Sequence, residues 1–448
     1  MLKPILKGDD VHRYQPLKPN YWVIFPYELT DNGAEFIEPE TVKSEHPNTW
    51  EYLKSKEDDL RGREGGKMDH EKWYEFGRLN NLEEFENSKI LTPEMSDGSN
   101  FTYDPKGIYH NTMVYSFILG DEVEIDDKYL LSILNNDLLW FFLSNTGGGN
   151  VMRGGYFRFK TDYLNPFSVP DIEFEISKEE RQERVSKLKQ DFSNDNLDLE
   201  DLEMESGVKH DFLGFLADEM IDLNESLDSI NLNIKDYLGS SVEDPKGETL
   251  GELYMPAEGL SDRVLSDTSA DRDSLRVGGV EFEERNGQLV LLASARYKPD
   301  DGESIGEDEL DRWGYTETDL VPAMKFNIDD KMRPLIEEFV ALAVDEAGGF
   351  ANFRESATKT NSIVDRLEKL TLPKLSDVEQ GLEKFIENRR EAEELEEEIQ
   401  ETDELIDAIV FDLYGLTEDE VETVLDSLDA DEGERERILE KFSDLDGN

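Results

Sequence analysis

The sequence contains no cysteine, which excludes disulfide frameworks, thiolate metal centres and cysteine nucleophiles. It has no N-terminal signal peptide and no apolar run approaching the roughly 18 residues of a membrane span. Its histidines lie far apart in the chain, and no two of them have metal-ligand spacing. These absences predict a soluble, cytoplasmic protein with no membrane partner and no metal site.

Signatures of catalysis are also missing. No G-x-x-x-x-G-K-[ST] phosphate loop occurs, and the glycine run 147–149 follows a predicted helix, which makes it a poor nucleotide cradle. The glycine-rich turn that binds S-adenosylmethionine and the Asn/Asp-Pro-Pro-Tyr/Phe loop that holds a target base are absent. The acidic segment 170–178 has the composition of a Mg²⁺ nuclease centre without its spacing. We therefore predict no catalytic residue and no cofactor-binding residue in this chain.

Cations are scarce, because Lys and Arg number 47 against 107 Asp and Glu, a formal charge of −60. At about 0.1 M salt, where the Debye length is about 10 Å, this many exposed charges would destabilise a compact fold by repulsion. At about 1 M salt the Debye length falls to about 3 Å and the repulsion is screened. The acidity therefore indicates a halophilic source with a salt-rich cytoplasm, and it does not exclude a DNA partner.

One segment lacks acidic residues altogether. Residues 138–161, LLWFFLSNTGGGNVMRGGYFRFKT, run for 24 positions without a carboxylate. The segment combines cations, aromatic rings and glycines, which are the ingredients of a polyanion contact. The alternative is a buried helix followed by a hydrophobic hairpin. The helical part is predicted from apolar residues that recur at helical spacing and should end near Asn145: Leu130, Ile133, Leu134, Leu138, Phe141 and Phe142.

Composition divides the chain into four regions. Residues 1–178 hold 19 Lys and Arg against 32 Asp and Glu and are rich in aromatics, so they are equipped to bury a core and to bind. An acidic helical linker region is predicted at 179–245, a small β-containing element at 246–330 and a helical region at 331–448. The fold class expected is α+β: a mixed β-sheet and helix domain followed by helical regions with a small β-hairpin element.

Two later segments have recognisable patterns. VEFEERNGQLVLLASARY alternates apolar and polar residues on either side of Asn286-Gly287, which predicts a hairpin with a type I′ turn and a structural role. The tail shows a heptad-like seam from Phe385 to Leu413, interrupted by Asn388 and Thr402. We expect this helix to pack on its own protein, with docking on a partner as the alternative.

Seven motifs in collinear order over about residues 1–172 resemble the TaqI-like C-terminal specificity domain, the target-recognition part of Type IIG restriction–methylation enzymes. They are ILKGDDVHRYQPLKPNYWVIFPY, HPNTWEYLKSKEDDLRGRE, KWYEFGR, FENSKILTPEMS, GIYHNTMVYSFI, LLSILNNDLLWFFL and YLNPFSVP. Near the other end, IDAIVFDLYGLTEDEVETVL resembles the helix and turn found late in many such enzymes, with Asp412 where Glu is usual.

The resemblance implies DNA target recognition, in which phosphate contacts position the duplex and exposed polar side chains read base edges. The candidate DNA-binding residues are Lys7, Arg13, Lys89, Asn145, Asn150, Arg153, Tyr156, Arg158 and Lys160. For each arginine the alternative role is an intramolecular ion pair with the plentiful acids, most of all for Arg13 and least for Arg153, which has no acid nearby in sequence.

We therefore expect sequence-specific recognition of double-stranded DNA for an adenine-N6 DNA methyltransferase or Type II restriction system, or for a related phage-defence system. In the family this domain follows a methyltransferase domain, so S-adenosylmethionine and catalysis are expected on a separate chain or a missing N-terminal part. One rival is a divergent but complete nuclease or methyltransferase, which methyl transfer by the chain alone would reveal. The other is a phage-defence scaffold that binds protein through its helical tail, which DNA binding without sequence preference, together with a stable protein complex, would favour.

Overall fold

The structure is a computed structural model of the chain. It describes residues 1–30, 33–79, 81–120, 122–146, 156–159, 161–194, 196–197, 205–241, 245–255, 275–299, 306, 310–311, 313–329, 331–345 and 362–446. The chain forms two compact units. Unit 1 comprises Met1–Ser229 together with Glu394–Asn448, and unit 2 comprises Ile230–Glu393. The expected α+β class is confirmed, because helices occur along the whole described chain and the strands form several separate sheets.

In its described residues unit 1 contains four small sheets instead of one large sheet. The strands are β1 Leu2–Leu6, β2 Tyr21–Ile24, β3 Tyr27–Thr30, β4 Gly33–Phe36, β5 Lys89–Pro93, β6 Met95–Ser96, β7 Thr102–Asp104, β8 Tyr109–His110, β9 Val114–Phe117 and β10 Phe157–Arg158. Strand β1 lies between β2, which is antiparallel to it, and β8, which is parallel to it. Strand β5 lies between β7 and β9, both antiparallel, and the other two sheets are the pairs β3–β4 and β6–β10.

The helices of unit 1 cover these sheets and bring the two ends of the chain together. One core contains Tyr14 and Phe101 from the N-terminal region and the apolar residues of 405–411 from the tail. The helices wholly within unit 1 are α1 Pro39–Glu45, α2 Pro47–Ser55, α3 Glu57–Arg61, α4 Arg63–Gly66, α5 Asp127–Asn135, α6 Asp137–Thr146, α7 Thr161–Leu164, α8 Lys178–Ser193, α9 Ser206–Ser229, α15 Glu418–Ser427 and α16 Glu432–Asp446, with 3₁₀ turns at Gly8–Asp10 and Leu82–Glu86.

Unit 2 is a sheet backed by helices. Its described elements are α10 Ile234–Leu238, a 3₁₀ turn Gly239–Ser241, α11 Leu250–Leu253, β11 Tyr254–Met255, β12 Arg276–Arg285, β13 Gln288–Tyr297, β14 Thr316–Glu317, β15 Val321–Phe326, α12 Met332–Asp345 and α13 Ile363–Glu368. The strand order is β11-β15-β13-β12, with β14 also paired to β13. Alternate residues of β13, such as Leu291 and Ala293, pack in one core with Ile336 and Phe339. The long helix α14 spans Leu375–Leu413, and the division of the chain into two units falls within it, between Glu393 and Glu394.

The predicted hairpin is confirmed. Strands β12 and β13 are antiparallel, and Arg285 pairs with Gln288 across a two-residue turn. Asn286 and Gly287 have φ values of 54° and 74°, the positive values that a type I′ turn requires at both central positions. Turn chemistry and strand alternation therefore act together to set the register of unit 2.

The tail packs on its own protein, as expected. Within the long helix Phe385, Ala392, Thr402, Ile406 and Ile409 are each no more than 4% exposed. The boundaries of the two units differ from the four sequence regions, because helix α9 and the tail share the core of the N-terminal domain. Composition could not reveal this, since tertiary packing joins segments that are far apart in sequence.

The acid-free segment begins in helix α6, which ends at Thr146, one residue from the predicted end. The apolar run is divided between α5 and α6 at Asn136. The break shifts the helical register, so Leu139 and Leu143 are the fully buried residues of α6, whereas Phe141 and Phe142 are only partly buried. Among the described helices, none is long and apolar enough to cross a membrane.

Candidate nucleic-acid interface

Lys89 lies in the interior and not at a surface. Its side chain is 1% exposed, and Nζ lies 2.9 Å from a carboxylate oxygen of Asp104, which has no exposed surface. The ammonium also donates to the carbonyl oxygen of Phe85 at 2.6 Å. Burial lowers the pKa of Lys89, and the hydrogen bond and charge of Asp104 oppose that shift. Since no phosphate can reach this ammonium, we leave Lys89 out of the proposed interface.

Arg13 joins the first motif of the sequence to the tail. Its Nη1 and Nη2 atoms donate to the two carboxylate oxygens of Asp403 at 2.5 and 2.6 Å, and Nη2 donates to the carbonyl oxygen of Asn135 at 2.7 Å. Burial alone would lower the pKa of Arg13, but the charge and hydrogen bonds of Asp403 raise it above the usual value. The guanidinium is thus held in a bidentate intramolecular pair, the alternative role stated for it.

Two asparagines complete this structural cluster. Asn135 accepts a hydrogen bond from the backbone N–H of Phe101 at 2.9 Å and donates to its carbonyl at 3.0 Å. Asn136 accepts from the N–H of Leu138 at 2.8 Å, which caps helix α6, and its amide donates to Asp407. Both asparagines are buried, so their hydrogen bonds fix the junction of α5 and α6 against the tail.

The same cluster contains carboxyl groups whose pKa values are raised, so that their ionised form is destabilised in the folded protein. Burial, then the charge of Asp403, raises the pKa of Asp137 to about 6. Burial, then the charge of Asp137, raises the pKa of Asp407 well above its usual value. Only one guanidinium, that of Arg13, faces these three carboxyls in the hydrogen-bonded cluster described. Perturbed carboxyls can mark a catalytic centre, but here the partners are structural amides and an arginine.

Arg158 forms an ion pair at the edge of a small sheet. Strand β10 places it opposite Met95, and its Nε donates to Glu94 at 2.7 Å, with Nη2 bonded to the same oxygen. The Glu94 side chain is 9% exposed, whereas that of Arg158 is 45% exposed. The ion pair raises the pKa of Arg158. The guanidinium is therefore held in place from one side and open to a ligand on the other.

Apart from Lys7, the remaining candidate DNA-binding residues lie within or beside the acid-free segment in sequence, and the structure places the described ones differently from one another. Tyr156, next to β10, is 43% exposed. Asn145 is exposed near the end of helix α6, where its amide donates to the carbonyl oxygen of Phe141 at 2.8 Å. Asn150, Arg153 and Lys160 lie outside the described residues. Of this group, the structure therefore brings Tyr156 and Arg158 together at one exposed edge.

Lys7 is exposed and contacts an aromatic ring that was not among the candidate residues. Its Nζ lies 3.2 Å from the ring centroid of Tyr21, which is 50% exposed. The adjacent Trp22, on edge strand β2, is 67% exposed. Exposed rings beside a cation can stack on bases or pack against a sugar–phosphate backbone. The signal in the sequence was the Tyr-Trp pair that follows a proline-rich loop.

A short backbone path connects the Lys7 loop to the Arg158 edge. A Cβ atom on Gly8 would lie 3.3 Å from the carbonyl oxygen of Met113. That oxygen accepts a hydrogen bond from the N–H of Glu94 at 2.7 Å, and the carbonyl oxygen of Glu94 accepts from Phe159 at 2.8 Å. Both candidate cations are thus anchored around the end of strand β5. Among the described residues, no group of three or more His, Asp or Glu side chains is arranged to hold a metal ion.

Comparison with known proteins finds a family match in the first part of the chain. Residues 3–169 match the TaqI-like C-terminal specificity domain. The match includes β2 to β10, nearly all of β1, and helices α1 to α7, and so contains Lys7, Arg158 and the N-terminal part of the Arg13 cluster. The matched segment therefore contains both exposed candidate cations and one side of the structural pair between Arg13 and Asp403.

Two relatives are similar to part of the chain. Type II restriction enzyme and methyltransferase RM.Eco57I of Escherichia coli is 26% identical over 201 residues, which cover 42% of this chain and 20% of that protein. Type II methyltransferase M.BanIII of Aneurinibacillus aneurinilyticus is 22% identical over 181 residues, which cover 40% of this chain and 30% of that protein. The chain thus matches less than a third of either relative's length.

Proposed function

We propose that this chain recognises a DNA target sequence for an adenine-N6 restriction–modification system, or a related phage-defence system. The observation that carries the proposal is the specificity-domain match over residues 3–169, supported by two relatives whose names denote Type II restriction and methylation. Double-stranded DNA is the proposed ligand. Methyl transfer from S-adenosylmethionine, and any cleavage, are assigned to another domain or chain.

The proposed contact surface contains the Lys7 loop and the edge strand β10, together with the acid-free segment between α6 and β10. Lys7, with Tyr21, offers a cation beside an exposed ring, and Trp22 is a second exposed ring on the same strand. Arg158 offers a guanidinium whose position is fixed by Glu94, so less conformational entropy is lost when it binds a base edge or phosphate. Arg153 and Lys160 remain proposed contacts on the strength of the sequence.

In molar salt this surface would depend mainly on base contacts and shape. Counterion release contributes little to the binding free energy when the bulk salt is already concentrated. The halophilic source proposed from the charge of −60 would place the protein in that regime. Specific binding that survives molar KCl would therefore support base readout, because purely phosphate-driven binding would be lost.

The test is selection of bound duplexes from a randomised DNA library by the full chain in molar KCl. We expect enrichment of one short sequence and tighter binding to it than to a scrambled duplex. Arg158→Ala should weaken binding to the selected duplex by about tenfold or more if the guanidinium reads a base. The matched control is Arg184→Ala, because Arg184 is 44% exposed and ion-paired with Glu180, as Arg158 is 45% exposed and paired with Glu94.

Absence of any enriched sequence would contradict target recognition. Equal losses in Arg158→Ala and Arg184→Ala would contradict the placement of the interface, because general loss of charge would then explain the effect. Calorimetry with S-adenosylmethionine tests where catalysis resides. We expect no binding by this chain, and binding in the micromolar range would overturn the assignment of methyl transfer to another domain or chain.

A further inference from the structure

A second cationic surface lies in unit 2, outside the segment that matches the specificity domain. Arg276 on β12 and Arg296 on β13 are directly opposite each other in the antiparallel register. Lys298 follows two residues after Arg296 and so lies toward the same face of the sheet. This face is opposite the one on which Ala293 and Ala295 pack into the core. Three cations therefore project from the side of the sheet that does not contact the core helices.

The three cations surround one aromatic ring. The charged groups of Arg276, Arg296 and Lys298 lie 4.9, 5.1 and 5.1 Å from the ring centroid of Tyr315. Together with Trp313, which is 64% exposed, these residues line a pocket of about 440 Å³. A volume of this size falls within the range of small-ligand sites, roughly 300 to 1,000 Å³.

A tight turn holds the backbone that carries the two rings. One carboxylate oxygen of Asp311 accepts hydrogen bonds from the backbone N–H groups of Trp313 at 2.7 Å and Tyr315 at 2.9 Å. The other oxygen pairs with Arg296. Gly314 has a φ of 74°, a value that most other residues adopt only with strain. The turn therefore fixes the backbone of Trp313 and Tyr315 beside strand β13, with which Asp311 is paired through Arg296.

The cations are not balanced locally within the described part of the chain. Like charges directly opposite each other in antiparallel strands are destabilising, as for Arg276 and Arg296. Asp311 neutralises one of them, while Glu317 accepts hydrogen bonds from the backbone of Gly279 at 2.7 Å and from Ser294. Among the described residues, Arg276 and Lys298 have no ion pair with a carboxylate. A bound anion would relieve this repulsion.

We propose that this pocket binds a nucleotide unit of single-stranded nucleic acid, with a phosphate held by Arg276 and Lys298 and a base stacked on Trp313. Guanidinium and ammonium groups are the usual protein partners of phosphate oxygens. An exposed indole beside them adds a stacking surface that accepts any base. The site lies in residues that the specificity-domain match does not cover, so it does not depend on target recognition by residues 3–169.

Two other ligands share part of this chemistry. A free nucleotide offers the same phosphate and base as a strand, but it lacks the adjacent phosphates that a strand offers to neighbouring cations. An acidic peptide would satisfy the cations with carboxylates and leave the indole face unused. The exposure of Trp313 favours the nucleotide, because a carboxylate gains nothing from a stacking surface.

The test is titration of the full chain with a short oligothymidylate, followed by Trp fluorescence, in moderate and in molar KCl. We expect saturable quenching that is absent in Trp313→Phe, and weaker binding at the higher salt concentration. Arg276→Ala combined with Lys298→Ala should weaken binding by about tenfold or more. The control removes two cations of the same unit outside the pocket, Arg285→Ala with Lys331→Ala, and should bind as wild type.

Parallel titrations with thymidine monophosphate, inorganic phosphate and a short polyglutamate distinguish between the possible ligands. Strand binding at least as tight as monophosphate binding supports the proposal. Binding of monophosphate alone, or binding of polyglutamate equal to that of the oligonucleotide, overturns it. Equal binding by both double variants overturns the position of the site. Thermal melting checks that each variant is folded. If the Ala double variant of the pocket unfolds, Arg276→Lys with Lys298→Arg replaces it in the test; this variant keeps both charges and should retain most of the binding.

Discussion

Replacement of Lys89 by Met should destabilise unit 1 by about 3 kcal/mol, within the range of roughly 3–5 kcal/mol for breaking a buried ion pair. Met keeps the length of the side chain and fills the same space, so the loss is electrostatic. The change leaves the Asp104 carboxylate without its cation in a site with no exposed surface. That carboxylate still accepts hydrogen bonds from the backbone N–H groups of Lys106 at 2.9 Å and Ile108 at 2.6 Å, which places the loss near the lower limit.

Urea unfolding in molar KCl measures the loss, followed by Trp fluorescence and by hydrogen exchange of the β5 amides. Two units need not unfold together, so the exchange data report on unit 1 specifically. The matched control is Lys43→Met, because Lys43 forms an exposed pair with Glu40 at 3.3 Å. The control should leave the unfolding midpoint unchanged.

A double-mutant cycle with Asp104→Asn isolates the pair. The double variant should be less destabilised than the sum of the single variants, by about 2 kcal/mol, because it leaves no uncompensated buried charge. A loss below about 1 kcal/mol in Lys89→Met would refute the buried pair. So would a Lys89→Met variant of wild-type stability that binds DNA less well, because Lys89 would then be acting at the surface.

Two further predictions concern the tail and the carboxyl cluster. Ile406→Asp with Ile409→Asp should lower the free energy of unfolding of unit 1 by several kcal/mol, because both side chains are fully buried; an unchanged urea midpoint would contradict this packing. The raised pKa of Asp137, about 6 against a reference of 3.8, means that the folded state binds the extra proton between these values. Stability from this carboxyl is therefore lost as pH rises from about 4 to 6, and Asp137→Asn should flatten the pH dependence and stabilise unit 1 at pH 7.5 by about 1 kcal/mol. Asp407, whose pKa is also raised, adds a change of the same sign, and pH-dependent melting that is identical in wild type and Asp137→Asn would argue against both.

Local patterns predicted local structure well. The Asn286-Gly287 hairpin and the end of helix α6 follow from turn chemistry and helical spacing, which depend on neighbouring residues. The division of the apolar run at Asn136 was not predicted, because the asparagine acts as a cap only through its contacts with Leu138 and Asp407. The pattern of apolar residues alone could not show that partner.

The candidate site was less accessible to sequence reasoning. Whether a lysine or an arginine is free to bind DNA depends on which acid folds beside it, and Arg13 meets Asp403 across 390 positions. Lys89 begins an apolar strand, but nothing in the sequence links it to Asp104. The order of the motifs assigned Lys7 and Tyr21 to the first motif of the resemblance. Only the structure shows that their side chains contact each other.

The pair of Arg13 with Asp403 also has a consequence for synthesis on the ribosome. Unit 1 is interrupted in the sequence by the 164 residues of Ile230–Glu393, and its core requires residues from both sides of that insertion. At about 5–20 residues per second, the ribosome takes roughly 10 to 30 s to make the insertion. During that time the apolar surfaces of α5 and α6 lack the tail residues that pack against them in the folded unit. Unit 2 is therefore positioned to fold first, and unit 1 closes only when the segment Glu394–Asn448 has emerged.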